Sequence, residues 1–213
     1  MFITFEGIEG CGKTTQIERL EARLIQRGIP LIRTFEPGGT KIGQNIRRIL
    51  LDAGNRHLSA LTELLLYEAD RAQHISEVIK AALDDGKWVI CDRFFDATVA
   101  YQGAARGQDL GLIKLLNDTV TQGIRPNLTL LLDCPAEVGL ERALRRHSAQ
   151  PPDGQDRFER EKLEFHKKVR AGYLELASGE PERFVVVDAN HTEDEIEKQV
   201  LRILEPHLKD KGQ

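Results

Sequence analysis

Eight residues near the start of the chain, Gly7-Ile8-Glu9-Gly10-Cys11-Gly12-Lys13-Thr14, satisfy the pattern G-x-x-x-x-G-K-[ST] at every specified position. The chemistry that this pattern serves is phosphate binding. Glycines let the backbone curl so that successive N–H groups face phosphate oxygens, and a helix beginning where the loop ends adds a dipole favourable to anions. Lys13 is placed to reach the β and γ phosphates of a nucleotide, and Thr14 to offer its hydroxyl to Mg²⁺. The rest of the loop, with Thr15 behind it, wraps the phosphates through backbone N–H groups.

Further groups suit the same chemistry. Asp92-Arg93-Phe94 follows the apolar run Lys87 to Cys91, and an acidic residue directly after a buried strand, downstream of such a loop, is the Walker-B arrangement that holds Mg²⁺. Arg93 brings positive charge to the same strand end. Arg142, Arg145 and Arg146 lead into a polar, broken stretch from His147 to Gln155, after which Asp156-Arg157-Phe158-Glu159 resumes a helical register. That reads as a lid over residues 146–157, flanked by arginines, which closes over phosphates and excludes water. Tyr67 and Arg71 lie one turn apart, a face suited to holding a nucleobase or, equally, a core tyrosine beside a surface arginine. Arg47 points back towards the cleft or out to solvent. Thr98 to Gly107 is polar and glycine-rich, a candidate substrate-side segment.

These residues need a scaffold with one ligand-binding edge. Strand candidates fall at Met1–Glu6, Ile29–Phe35, Lys87–Cys91, Asn127–Cys134 and Phe184–Val187, with helical periodicities between them. Alternation of this kind predicts a three-layer α/β fold, a five-stranded parallel sheet with helices on both faces and ligands along the strands' C-terminal edge. The turn Glu36-Pro37-Gly38-Gly39-Thr40 sits on that edge. In the next helix Ile42, Ile46, Ile49 and Leu50 are expected inward. From Leu58 to Leu83 a long helix carries Leu58, Leu61, Leu65, Ala69, Ala72, Ile75, Ile79 and Leu83 on one stripe and further apolar residues elsewhere. It is therefore central to the core or half of a dimer interface.

Composition narrows the function classes. At 213 residues the chain is one domain with a small insert, and a net charge of −4 argues against a nucleic-acid surface. No apolar run is long enough to span a bilayer, and no signal peptide is recognisable, so the cytoplasm is the expected compartment. Cys11, Cys91 and Cys134 have no metal-ligand or disulfide spacing. Cys11, surrounded by loop N–H groups, reads as a candidate thiolate whose alkylation blocks nucleotide binding. On residues alone the chain is a phosphoryl-transferring P-loop enzyme or a P-loop switch. The N-K-x-D element of a GTP switch is absent.

The motifs Phe5-Glu6-Gly7, Glu36-Pro37-Gly38-Gly39-Thr40, Asp92-Arg93-Phe94, Ala100-Tyr101-Gln102-Gly103 and Asp156-Arg157-Phe158-Glu159 together closely resemble the bacterial thymidylate kinases. The resemblance implies transfer of the γ-phosphoryl of ATP to dTMP with Mg²⁺, and a homodimer formed through the long 58–83 helix. It implies that Glu9 accepts a hydrogen bond from the sugar 3′-hydroxyl and that Arg47 and Arg93 grip the dTMP phosphate. Tyr67 stacks on thymine, Arg71 bonds its O4, Thr98 and Gln102 line the base pocket with Glu36 and Pro37 nearby, and Tyr101 crowds the 2′ position. Arg146 and Arg157 serve the transferring phosphate, with Arg142 on the ATP side. Gly10 in the phosphate loop goes with a catalytic arginine carried by the lid. The chain departs from the family at Phe35, where an arginine is common, at Ala97 in place of serine, and in the Pro-Pro-Asp-Gly-Gln stretch of the lid. A kinase for another monophosphate, such as dCMP or GMP, would share loop and lid but need other groups opposite the base. A non-enzymatic nucleotide-binding subunit would keep the loop without transfer.

Overall fold

A computed structural model of the chain describes residues 1–55, 57–149 and 156–209, with the side chains of 147–149 and 209 outside the description. Five strands form the sheet: β1 (Phe2–Glu6), β2 (Leu31–Phe35), β3 (Trp88–Asp92), β4 (Leu128–Asp133) and β5 (Phe184–Asp188). All pairings are parallel and the spatial order is β2-β3-β1-β4-β5. β1, β3 and the first five residues of β4 are almost wholly buried, which is why they read as continuous apolar runs.

The helices are α1 (Lys13–Gln26), α2 (Lys41–Leu51), α3 (Ala60–His74), α4 (Lys80–Asp84), α5 (Phe95–Thr98), α6 (Leu110–Thr121), α7 (Ala136–Ala149), α8 (Leu163–Gly179) and α9 (Glu193–Lys209). A π turn, Ile75–Ile79, joins α3 to α4 without a break, and another, Val99–Ala105, extends α5. The polar, glycine-rich candidate substrate-side segment is thus largely helical, and its π turn carries Tyr101 and Gln102. Asp156 to Arg160 makes one hydrogen-bonded turn, short of a helix, ahead of α8. The greater part of the expected lid lies outside the described residues.

One packing expectation is corrected, and of the two alternatives stated for the long helix its α3 part excludes the core one. On α2, Leu50 is buried but Ile42 and Ile49 face out at 52% and 45% exposure. On α3 the apolar stripe is turned outward: Leu61 and Leu65 are about half exposed, while Glu63, Glu68, Asp70, Arg71 and His74 are buried. The inward face can be polar because its charges pair with one another. Arg71 bridges Glu36 and Glu68, and His74 Nδ1 meets Glu36 at 2.9 Å.

Strand register builds the functional edge. Phe5 pairs with Asp92 and Phe35 pairs with the same residue, so the chain leaving β1, β2 and β3 emerges side by side. The Arg93 N–H donates to the Phe5 carbonyl and the Glu36 N–H to that of Asp92, both at 3.0 Å. The phosphate loop, the Glu36-Pro37 turn and Asp92-Arg93 are thereby fixed around the point where the sheet order changes direction.

Candidate active site

The loop from Gly7 to Gly12 has the backbone that its glycines permit. Gly7 has φ 134°, and a Cβ there would lie 2.4 Å from the Leu132 carbonyl oxygen. Gly10 has φ 71°, and a Cβ would come to 2.0 Å from the Gly139 carbonyl oxygen on α7. No side chain fits at Gly10, so any cation serving the phosphates must come from elsewhere. Lys13 Nζ donates to the carbonyls of Gly7 and Ile8, each at 3.0 Å, which holds the ammonium over the loop. Cys11 is completely buried, with its sulfur 3.6 Å from Lys13 Nζ. The expected alkylation-sensitive thiol is therefore closed to reagents in this conformation.

A cleft of about 790 Å³ runs along the sheet edge. It gathers the loop residues Glu9, Gly10, Cys11, Gly12, Lys13, Thr14 and Thr15, then Asp92 and Arg93, and on the other side Glu36, Pro37 and Arg47. Tyr67, Arg71, Thr98, Tyr101 and Gln102 line it too, as do Arg142 and Arg146 of α7. Gly7 and Ile8 are buried beneath the loop. Arg157 is the other predicted site residue, besides Gly7 and Ile8, that this cleft does not collect. It belongs to a smaller hollow with Glu63 and Arg106, where its Nε donates to the Leu50 carbonyl at 2.5 Å.

The Arg93 guanidinium stands at the centre. It donates to the Tyr173 hydroxyl at 3.0 Å and to Glu9 at 3.2 Å, and lies 4.9 Å from the centroid of the Tyr101 ring. Its backbone has φ 69°, a left-handed conformation costing a non-glycine residue roughly 1 kcal/mol or more. Burial works against its charge, but Tyr101, Tyr173, Glu9 and Asp92 outweigh that and hold its pKa well above the ordinary arginine value.

Glu9 accepts from the Tyr101 hydroxyl at 2.5 Å, and its other oxygen lies 3.2 Å from His166 Nδ1, which donates to it. Burial alone would raise its pKa; the His166 hydrogen bond and the charges of Arg93 and Lys13 win and bring it to about 2. Because the folded value is below the unfolded 4.5, the unfolded chain takes up the proton first as pH falls. The stabilisation is complete above pH 4.5 and is lost towards pH 2. Between pH 7 and pH 3 wild type should lose about 2 kcal/mol more stability than Glu9→Gln, by proton linkage. Urea midpoints at the two pH values test this, and equal losses in both proteins would contradict it.

Arg71 is 1% exposed and commits four of its five N–H donors. Nε meets Glu36, one terminal nitrogen meets Glu68 and Asn117, and Nη2 meets Thr98 at 3.0 Å. One Nη2 hydrogen remains for the cleft. Arg47 donates to the Pro37 carbonyl at 2.8 Å, and burial lowers its pKa from the ordinary arginine value. Asp92 and the Thr14 hydroxyl offer hard oxygen donors in the same cleft, and no cluster of three His, Cys, Asp or Glu occurs among the described residues. A donor set this sparse fits Mg²⁺, which keeps waters and takes its remaining ligands from phosphates.

Some residues of the site carry no expectation from the sequence: His166 and Tyr173 back the cleft through Glu9 and Arg93, and His191 and Thr192 line it. His166 and Tyr173 lie on the inner face of α8, where a histidine at helical spacing from Val169 and Tyr173 was the available signal. His191 and Thr192, from the turn after β5, line the loop end of the cleft beside Arg142, which donates to the Ala189 carbonyl at 3.0 Å.

The parallel sheet, the phosphate loop on its central strand and the cation-lined cleft define a protein of the P-loop nucleotide-binding class. The family model described as thymidylate kinase matches residues 5–200. Curated thymidylate kinases from Geotalea uraniireducens, Geobacter sp. strain M21 and Desulfosudis oleivorans are 54%, 58% and 53% identical to the chain. The alignments cover 93%, 89% and 96% of this chain and 93%, 84% and 96% of those proteins. The chain belongs to the thymidylate kinase family.

Proposed function

We propose that the chain transfers the γ-phosphoryl of ATP to dTMP, giving dTDP and ADP. The carrying observation is the single cleft that joins a phosphate loop to a second cation pair, Arg47 and Arg93, and then to the Tyr67, Arg71 and Gln102 pocket. ATP phosphates lie on the loop, with Lys13 on the β and γ oxygens and Arg142 and Arg146 above them. The dTMP phosphate lies on Arg47 and Arg93, its 3′-hydroxyl on Glu9, its base on Tyr67. Tyr101, tied to Glu9, occupies the space a 2′-hydroxyl would need.

The attacking atom is an oxygen of the dTMP phosphate, whose second pKa near 6 leaves it largely ionised at neutral pH, so no general base is required. What remains is to hold two anions in line and neutralise their repulsion. Lys13 and Arg93 do this from the loop and the β3 end, and Arg146 and Arg157 from the two sides of the lid. Arg157, now paired with Glu63, reaches the phosphates only by leaving that partner. Thr14 and Asp92 would hold Mg²⁺, which when bound would supply further charge neutralisation to the phosphates. A coupled assay of ADP release with ATP and each of dTMP, dUMP, UMP, dCMP and GMP tests the assignment. Preference for dTMP supports it; preference for another monophosphate, or no transfer to any, overturns it.

We further propose a homodimer and a cytoplasmic reaction. No helix among the described residues is long and apolar enough to cross a membrane, and the three cysteines are unpaired. Leu61 and Leu65 on α3 and Leu110, Leu112 and Leu115 on α6 are all at least 37% exposed, on helices that pack together. Burying one such side chain is worth roughly 1.5–3 kcal/mol, so Leu65→Asp should convert a sedimenting dimer to monomer. A wild-type monomer at micromolar concentration would refute the interface.

A further inference from the structure

Glu63 touches neither nucleotide in the reading above and enters it only as the resting partner of Arg157, yet it is 1% exposed and sits directly behind the base pocket. Its Oε1 accepts from Gln102 Nε2 at 2.9 Å and from Arg106 Nε at 3.3 Å. Its Oε2 lies 2.6 Å from Arg157 Nη2, an ion pair whose angle falls short of a hydrogen bond. Gln102, itself 1% exposed, lines the cleft.

A carboxylate accepts hydrogen bonds and donates none, whereas an amide has one donating and one accepting end. With Glu63 behind it, the Gln102 amide must place its NH₂ group on the carboxylate and leave its carbonyl for the cleft. We propose that Glu63 is a positioning residue that locks the Gln102 amide carbonyl towards the base and thereby selects pyrimidines carrying an N3–H. Resting on the dTMP reading, this adds the cause of the discrimination. Thymine and uracil present a donor at N3 and an acceptor at O4. Gln102 Oε1 and the remaining Arg71 N–H form the complementary pair. Cytosine reverses both groups, so it would face an acceptor with an acceptor and a donor with a donor in a buried site, where unmatched polar groups discriminate strongly. Arg106 donates to the same Oε1 as Gln102, using its second lone pair, and so keeps the carboxylate charge-balanced even when Arg157 leaves Oε2.

Replacing Glu63 by glutamine keeps the shape but lets the neighbouring amide turn either way. In Glu63→Gln the ratio of kcat/KM for dTMP to that for dCMP should fall about tenfold, the size expected from one mismatched hydrogen bond. On a Gln102→Ala background the same substitution should leave the ratio unchanged. A merely structural role would lower both substrates alike, and an unchanged ratio in the single variant would overturn the proposal. So would a shift of equal size without Gln102. If wild type itself shows no preference for dTMP, the functional reading fails before this one is reached. Should the variants not fold, neutron diffraction from wild-type crystals locates the Gln102 amide deuterons directly. They are expected facing Glu63, and deuterons facing the cleft would overturn the assignment.

Discussion

Arg93→Ala lowers kcat/KM for dTMP by about 30- to 1,000-fold, a loss on the order of 2 to 4 kcal/mol, the range seen when a preorganised charge is removed from a reacting centre. The guanidinium is held on three sides: by the Tyr173 hydroxyl, by Glu9 and by the face of Tyr101. On the proposed reading it would meet the acceptor phosphate without reorganising, and the strained φ of 69° persists because these contacts over-determine it. Removal also takes from Glu9 one of the cations that keep its carboxyl near 2. KM for dTMP should rise as kcat falls, since the charge acts on both bound substrate and transition state. Arg93→Lys should recover only part of the loss, because one ammonium cannot keep the planar, two-ended contact to Tyr173 and Glu9. Steady-state kinetics with dTMP varied at saturating ATP measure this; a variant within a few fold of wild type would contradict it.

Lys13→Ala should cost a similar 2 to 4 kcal/mol, placed differently. Nζ rests on the Gly7 and Ile8 carbonyls, 3.0 Å from each, on the donor side of the cleft. Its charge is positioned for the β and γ oxygens, so kcat should fall by two or more orders of magnitude while the KM for dTMP stays within a few fold. The contrast with Arg93 is the discriminating feature. If Lys13→Ala weakened dTMP as strongly as it slowed turnover, the division of the cleft into a donor and an acceptor side would be wrong.

The features legible in the sequence are those whose signal is local. The phosphate loop is eight contiguous residues, and Asp92-Arg93 stands at the end of β3, a nearly continuous apolar run buried between β1 and β2 in the sheet. The two alternatives for α3, core helix or interface helix, could not be separated from its periodicity. An apolar stripe is normally the inward one, but here the inward face carries a paired charge network around Arg71, which leaves Leu61 and Leu65 outside. On α2, a helix packed against α3, the buried residues are Gly43 and Leu50, which leaves Ile42 and Ile49 outward. His166 and Glu63 were invisible because their meaning lies in contacts 157 and 39 residues away in the chain, with Glu9 and Gln102. Arg157 shows the remaining difficulty: its type and motif were plain, but the direction in which it points depends on a carboxylate from another helix.

The central claim is that one cleft brings two nucleotide phosphates into contact between Lys13 and Arg93. A crystal structure with dTMP and a non-hydrolysable ATP analogue tests it most directly. The acceptor oxygen should lie about 3 to 3.5 Å from the terminal phosphorus position, the near-attack range, with Lys13 on one nucleotide's phosphates and Arg93 on the other's. Nucleotides bound in separate regions, or a dTMP phosphate not touching Arg93, would contradict the account.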